Sequence, residues 1–258
     1  MKKLIKSLKL MKKKGISAVK QSLEDEGATF KDIVIMREIT KAAKVDLNIK
    51  IGGCEAKNDI FFCKKIGVDS IVAPMVESEY ALKKFIQCAG KHKNTALLIN
   101  LETNLSLKNL NKIIGSKSFK YLNGIVIGRS DLAGSLNLSK DKVNSKLIFN
   151  KVQKAFRKVK KNNKKMIIKM GGSITSKSYQ FINKLFSERL LNKIETRNVE
   201  INLSQKTLNN LQNIIPEIFQ FEIEWLKFKV NMREKKQNKF IIKDYLNRIK
   251  EMEKRLDK

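Results

Sequence analysis

Between Ile16 and Arg197, short aliphatic and β-branched runs alternate with longer stretches of helical period. The runs are Ile16–Leu23, Leu47–Ile51, Ser70–Val76, Thr95–Leu101, Gly124–Gly128, Met166–Met170 and Lys193–Arg197. Helical patterns fall between them near Phe30–Lys44, Glu55–Ile66, Glu79–Ala89, Ser106–Ile114, Asp141–Lys160 and Lys177–Leu190. Strands separated by a helix's length of chain pair in parallel, and a repeated βα unit closes most economically as a TIM-type (β/α) barrel. Seven strands are visible where a complete barrel has eight, so the barrel is expected to be incomplete or modified, or its eighth strand hidden in the N-terminal segment. A doubly wound open sheet is the alternative, disfavoured because no glycine-rich dinucleotide turn follows the first strand.

The barrel is expected over residues 1–203, about the length that such a fold requires. From Thr207 onward the pattern is helical apart from Pro216, giving a helical extension over 204–258. Its Ile242, Leu246 and Ile249 recur at helical spacing, so this stripe and Trp225 are expected to pack on the barrel or on a second subunit. A homo-oligomer is expected on that ground.

Charge is the next constraint. The chain holds 55 basic and 25 acidic residues, a formal charge of +30. Such a balance suits a nucleic-acid binder. Here, however, 47 of the basic residues are Lys and 8 are Arg, beside 23 Asn, and they are spread along the whole chain. Nucleic-acid sites favour Arg with interleaved aromatics; the densest run, 157–165, contains no aromatic. The composition reads as a coding bias toward Lys and Asn. No apolar run is long enough to span a bilayer, so no membrane partner is expected. Three cysteines without metal spacing point to a reducing cytoplasm.

In a parallel barrel the chemistry gathers at the C-terminal ends of the strands. The polar residues there include Lys20, Glu24, Glu26, Lys50, Glu102, Arg129, Asp131, Lys169, Ser173 and Arg197. Any one acid among them, taken alone, reads better as a helix cap. Two acids on successive strand ends, Glu102 and Asp131, suit a hard cation, Mg²⁺ or Mn²⁺. Such an ion would hold a small 2-oxo acid or acyl ester and stabilise an enolate. Lys20, Lys50, Arg129, Arg197 and Ser173 are the expected substrate-binding groups for this small anion. Lys50, Glu24, Glu26 and Lys169 are the candidates for proton transfer.

The segment LLINLET (97–103), followed by GIVIGRSDLAGSL (124–136), resembles the paired metal motifs of the HpcH/HpaI aldolase/citrate lyase family. GVDSIVAPMVESEYALKKFI (67–86) resembles that family's Pro-Met strand end and acidic turn. The resemblance implies a metal-dependent aldolase-like or citrate lyase-like carbon–carbon lyase, with Glu102 and Asp131 as metal ligands. Two positions depart from the family pattern. Gly27 stands in the turn where the family carries its histidine, and Lys50 replaces its substrate-binding arginine. The single histidine, His92, precedes a strand and so falls toward the opposite end of the barrel.

Two further readings stay open. A strand-end lysine (Lys20, Lys50 or Lys169) would serve a Schiff-base aldolase. A noncatalytic basic barrel would bind nucleic acid.

Overall fold

The computed structural model describes residues 1–24, 26–90, 94–233 and 239–256; His92 lies outside them. Eight strands close into a barrel in sequence order. They are β1 (Ile16–Ser22), β2 (Asp46–Lys50), β3 (Ser70–Ala73), β4 (Ala96–Asn100), β5 (Gly124–Gly128), β6 (Ile167–Gly171), β7 (Lys193–Glu195) and β8 (Val199–Asn202). Helix α1 (Lys2–Lys12) precedes β1. The crossovers carry α2 (Phe30–Ala43), α3 (Lys57–Ile66), α4 (Glu79–Ala89), α5 (Asn104–Lys108), α6 (Leu110–Gly115), α7 (Arg129–Gly134), α8 (Lys146–Asn162) and α9 (Tyr179–Ser187). After β8 come α10 (Gln205–Asn209), α11 (Leu211–Met232) and α12 (Lys239–Leu256).

The barrel is therefore complete, but not uniformly parallel. β1 to β7 run parallel, and β8 turns back to pair antiparallel with both β7 and β1. The seventh strand stops at Glu195, short of the expected Arg197, because Thr196–Asn198 form a tight turn into β8. The N-terminal segment supplies a helix, not the eighth strand.

Strand alternation divides the barrel into an outer and an inner set. Outward residues such as Ile71, Leu97, Ile99, Ile125 and Ile168 join the helices in one large core. Inside, Val72, Leu98 and Val126 form a small separate apolar cluster with Ala96. The rest of the interior is polar and centres on Glu200 of β8. Its carboxylate accepts hydrogen bonds from Lys169 Nζ, Lys193 Nζ (2.6 Å), Asn48 Nδ2 (2.9 Å) and Ser17 Oγ (3.0 Å). Burial alone would raise the Glu200 carboxyl, but the Lys169 and Lys193 ammonium groups hold it below its ordinary value.

Local signals explain where the helices start. Thr29 and Asp32 make a reciprocal capping box before α2, and Thr103 and Ser106 do so before α5. Ser78 and Ser145 cap α4 and α8. Pro216 is accommodated inside α11.

The C-terminal helices pack into the same core as the barrel, with Trp225 buried. The inward stripe of α12 is Tyr245, Ile249 and Met252, with Ile242 partly covered. Leu246 is 45% exposed. It lies four residues after Ile242 and three before Ile249, at the edge of that stripe, where only a second subunit would cover it. Among the described residues no helix is long and apolar enough to cross a membrane.

Candidate active site

The β1–β7 strands end on one rim, and their loops converge there. Glu102 follows β4, and its side chain is buried at the rim. Its Oε1 accepts the Met75 N–H (3.2 Å) and its Oε2 accepts Asn100 Nδ2 (2.8 Å). Lys50 Nζ of β2 stands 3.7 Å from Oε1. Asp131 lies in the first turn of α7 and is exposed. The two acids meet over Gly128. A β-carbon placed on that glycine would fall 2.9 Å from Glu102 Oε2 and 3.5 Å from Asp131 Oδ2.

Neither acid caps a helix. Thr103 already caps α5, and α7 has no side-chain cap. Burial raises the Glu102 carboxyl; Lys50 and the Asn100 and Met75 donors oppose the rise, and the charge on Asp131 adds to it. Two oxygen-donor carboxylates bracketing a gap free of side chain fit a hard divalent cation. Among the described residues no three His, Cys, Asp or Glu side chains are placed to hold one ion together, so further ligands would be water and substrate oxygens, as Mg²⁺ tolerates.

Lys20 sits on the inner face of β1 and ion-pairs with Glu195 at 2.7 Å. Burial alone would lower its pKa, yet Glu195, Glu26 and Glu102 hold it well above the ordinary value. Glu24 is exposed over Gly52, where a β-carbon would meet its Oε1 at 2.7 Å. Glu26 is buried, its Oε2 held by Asn198 Nδ2 at 2.6 Å. Burial raises the Glu26 carboxyl against the opposing charges of Lys20, Lys229 and Arg197 and the Asn198 hydrogen bond. Arg197 is exposed in the β7–β8 turn. Ser173 is exposed after β6 with its Oγ 3.1 Å from Ser130 Oγ. Its φ of 51° and that of Met75, 44°, are uncommon for residues with side chains, a kind of local strain that gathers at functional sites.

Two expected site residues lie elsewhere. Arg129 is 0% exposed. Its guanidinium donates to the Gly171 carbonyl (3.2 Å), the Gly172 carbonyl (2.8 Å), Asn144 Oδ1 (2.5 Å) and Ser178 Oγ (3.3 Å), and stacks on Phe181. Burial lowers its pKa to about 9. Arg129 is thus a clamp on the β6 loop, not a substrate group. Lys169 lies below the rim inside the barrel, paired with Glu200. That pairing removes it from proton transfer at the mouth.

The family is decided by sequence: the profile of the HpcH/HpaI aldolase/citrate lyase family matches residues 35–180. The chain belongs to that family. Solved structures share the fold at low identity. Citrate synthase SbnG matches at 13% identity and TM-score 0.62, covering 84% of this chain and 89% of that one. An HpcH/HpaI aldolase from Desulfitobacterium hafniense DCB-2 matches at 12% and 0.61, covering 73% and 80%. A family protein from Burkholderia cenocepacia J2315 matches at 11% and 0.58, covering 84% and 90%. No curated protein sequence matches significantly. Membership of the family indicates a carbon–carbon lyase.

Sequence reasoning missed Asn100, Asn198 and Glu200 as supporting groups. Asn100 was within reach: two residues before Glu102, it must share the inward face.

Proposed function

We propose that the barrel mouth cleaves or forms a carbon–carbon bond in a small 2-oxo acid or acyl ester through an enolate, with one Mg²⁺ or Mn²⁺ held by Glu102 and Asp131. The convergence of those two carboxylates on Gly128 carries the reading. A bound ion would polarise the substrate ketone and offset the charge that develops on its oxygen.

The remaining roles fall to the chain's own residues. Lys50, loosely paired with Glu102, is placed to take the substrate carboxylate. Lys keeps the charge that an arginine would supply but not its two-pronged geometry, so orientation depends on more than this one contact. Lys20, fixed by Glu195, supplies a permanent positive charge to the floor. Arg197 and Ser173 stand at the open rim to meet the distal part of a substrate. Glu26 transfers the proton, with exposed Glu24 as the second acid on the same turn; burial raises the Glu26 carboxyl, the direction that suits that task. In the cleavage direction the base removes the proton of the substrate's carbinol hydroxyl, and the adjacent C–C bond breaks to leave a carbonyl. The bonding pair passes to the 2-oxo acid fragment as an enolate, which is then protonated at carbon 3.

Acidic side chains are in the minority, 25 against 55 basic, yet Glu24, Glu26, Glu102, Asp131 and Glu195 gather at this rim. That supports cation binding and argues against a nucleic-acid surface here. The Schiff-base reading is weakened because Lys20 and Lys169 are held in ion pairs with buried carboxylates.

Exchange of the pyruvate methyl protons in D₂O, followed by proton NMR, tests the enolate step. Exchange should require Mg²⁺ or Mn²⁺, stop with chelator, and slow by about 10² or more in Glu26→Gln. Exchange that survives chelation would overturn the metal reading, and none under any condition would overturn the enolate.

A further inference from the structure

Asn198, in the turn between β7 and β8, makes four hydrogen bonds, three of them to the β1 end of the mouth and one to α11. Its carbonyl accepts the Lys20 N–H at 2.7 Å. Its side-chain amide donates to the Lys20 carbonyl at 3.1 Å and to Glu26 Oε2 at 2.6 Å, using both amide hydrogens. Its own N–H donates to Glu222 Oε1 at 2.8 Å. Glu222 belongs to α11 and also accepts the Thr196 hydroxyl at 2.6 Å. One turn on, Trp225 Nε1 donates to Gln21 Oε1 at 3.1 Å, and Gln21 Nε2 donates to the same Lys20 carbonyl at 2.8 Å. The Tyr245 hydroxyl of α12 lies 3.4 Å from the carbonyls of Glu26 and Gly27.

We propose that Asn198 is a positioning residue that aims and tunes the Glu26 carboxyl, and that Glu222 of the C-terminal extension holds Asn198 in place for that purpose. The inference rests on the proton-transfer role proposed above for Glu26. A reversed eighth strand gives the device its reach: only a tight turn at the mouth brings an amide donor from the β7–β8 connection onto the β1 loop.

The charged groups acting on Glu26 are Lys20 of β1, Arg197 of the turn and Lys229 of α11, and the Glu26 charge in turn acts on Glu222 of α11 behind it. Burial raises the Glu222 carboxyl to about 7, against the Thr196 and Asn198 hydrogen bonds, and the Glu26 charge adds to the rise. Both of its hydrogen bonds fall on Oε1, so the amide of Glu222→Gln can accept both and removes only the charge. Asn198→Asp keeps the size but replaces the two amide donors by a like charge beside Glu26.

Carboxyl carbon-13 NMR of glutamate-labelled protein reads the Glu26 midpoint directly, assigned by the signal that Glu26→Gln removes. Asn198→Asp should raise that midpoint by about one pH unit or more, and Asn198→Ala, which removes the donor without adding a charge, should raise it by less, whereas Glu222→Gln, which keeps both of its acceptor bonds, should leave it in place. Emission of Trp225, the single tryptophan, reports that each variant is folded. In pyruvate exchange with Mg²⁺, Asn198→Asp should cut kcat about tenfold with KM within about twofold. A folded Asn198→Asp with an unmoved Glu26 midpoint overturns the proposal; if that variant does not fold, an unmoved midpoint in Asn198→Ala overturns it. The titration decides the matter even if the wild type exchanges no pyruvate protons, a result that would sink the lyase reading alone.

Discussion

Lys20 of β1 and Glu195 of β7 close a 2.7 Å ion pair across the junction where the reversed eighth strand is inserted. The pair ties the first strand to the last parallel one exactly where β8 separates them at lower levels of the barrel. Because the folded pKa of Lys20 lies above its unfolded value, its stabilising contribution is complete at neutral pH and fades only as pH rises past the unfolded value. The amine stays protonated wherever the protein is studied. Borohydride treatment with pyruvate, followed by mass spectrometry, should leave Lys20 and Lys169 unmodified. An adduct on either would revive Schiff-base chemistry.

The interior carboxylate Glu200 predicts an acid-sensitive fold. Its folded pKa lies below its unfolded value, so its stabilisation is present above the unfolded pKa and is lost as pH falls through the folded one. Glu200→Gln leaves Lys169 and Lys193 facing an uncharged amide inside the barrel. Urea denaturation at pH 7 should show a loss of about 3–5 kcal/mol. The loss should shrink as pH falls below about 4; a pH-independent loss would mean that packing, not charge, is responsible.

Most of the barrel was legible because its signal is periodic. Outward aliphatic residues on β2 to β6 and amphipathic helices between them repeat regardless of tertiary detail. Glu102 and Asp131 were legible from their motifs and strand-end positions. β8 was not: Val199–Asn202 is only four residues long and follows a tight turn, so it does not stand out as a strand of its own beyond Arg197. Arg129 misled for a different reason. A strand-end arginine beside a metal motif looks like an anion site, and only the packing of Gly171 and Gly172 against it shows that it binds carbonyls. Gly172, with φ +84° and room for no β-carbon against the Arg129 and Ser130 backbone, is what allows that approach.

Gly128→Ala tests the cradle itself. Its backbone, at φ −83° and ψ 104°, accepts alanine without strain. The added carbon would press on Glu102 Oε2. Metal affinity by calorimetry should fall about tenfold or more, as when groups that orient ligands are disturbed, while the thermal midpoint without metal changes little. Unaltered affinity would show that the carboxylates do not meet at this gap.

The last prediction concerns the acids directly. Burial and the neighbouring Asp131 raise the Glu102 carboxyl, with Lys50 opposing. Ionised Glu102 is therefore a cost to the metal-free fold at neutral pH, since a raised carboxyl pKa makes stability fall as pH climbs through it. A cation reverses that cost, and its binding expels the proton, so affinity should weaken as pH falls through the raised value. Glu102→Gln, which still accepts one of the two donors, should leave the metal-free barrel folded, yet abolish the rise in thermal midpoint on adding Mg²⁺ or Mn²⁺. Asp131→Asn should weaken the same response with little effect on the metal-free protein, because that side chain is exposed. Calorimetric titration of the three proteins at two pH values separates the effects. Equal affinity in all three would leave Glu102 and Asp131 as bystanders, and the proposed chemistry would have no metal site to stand on.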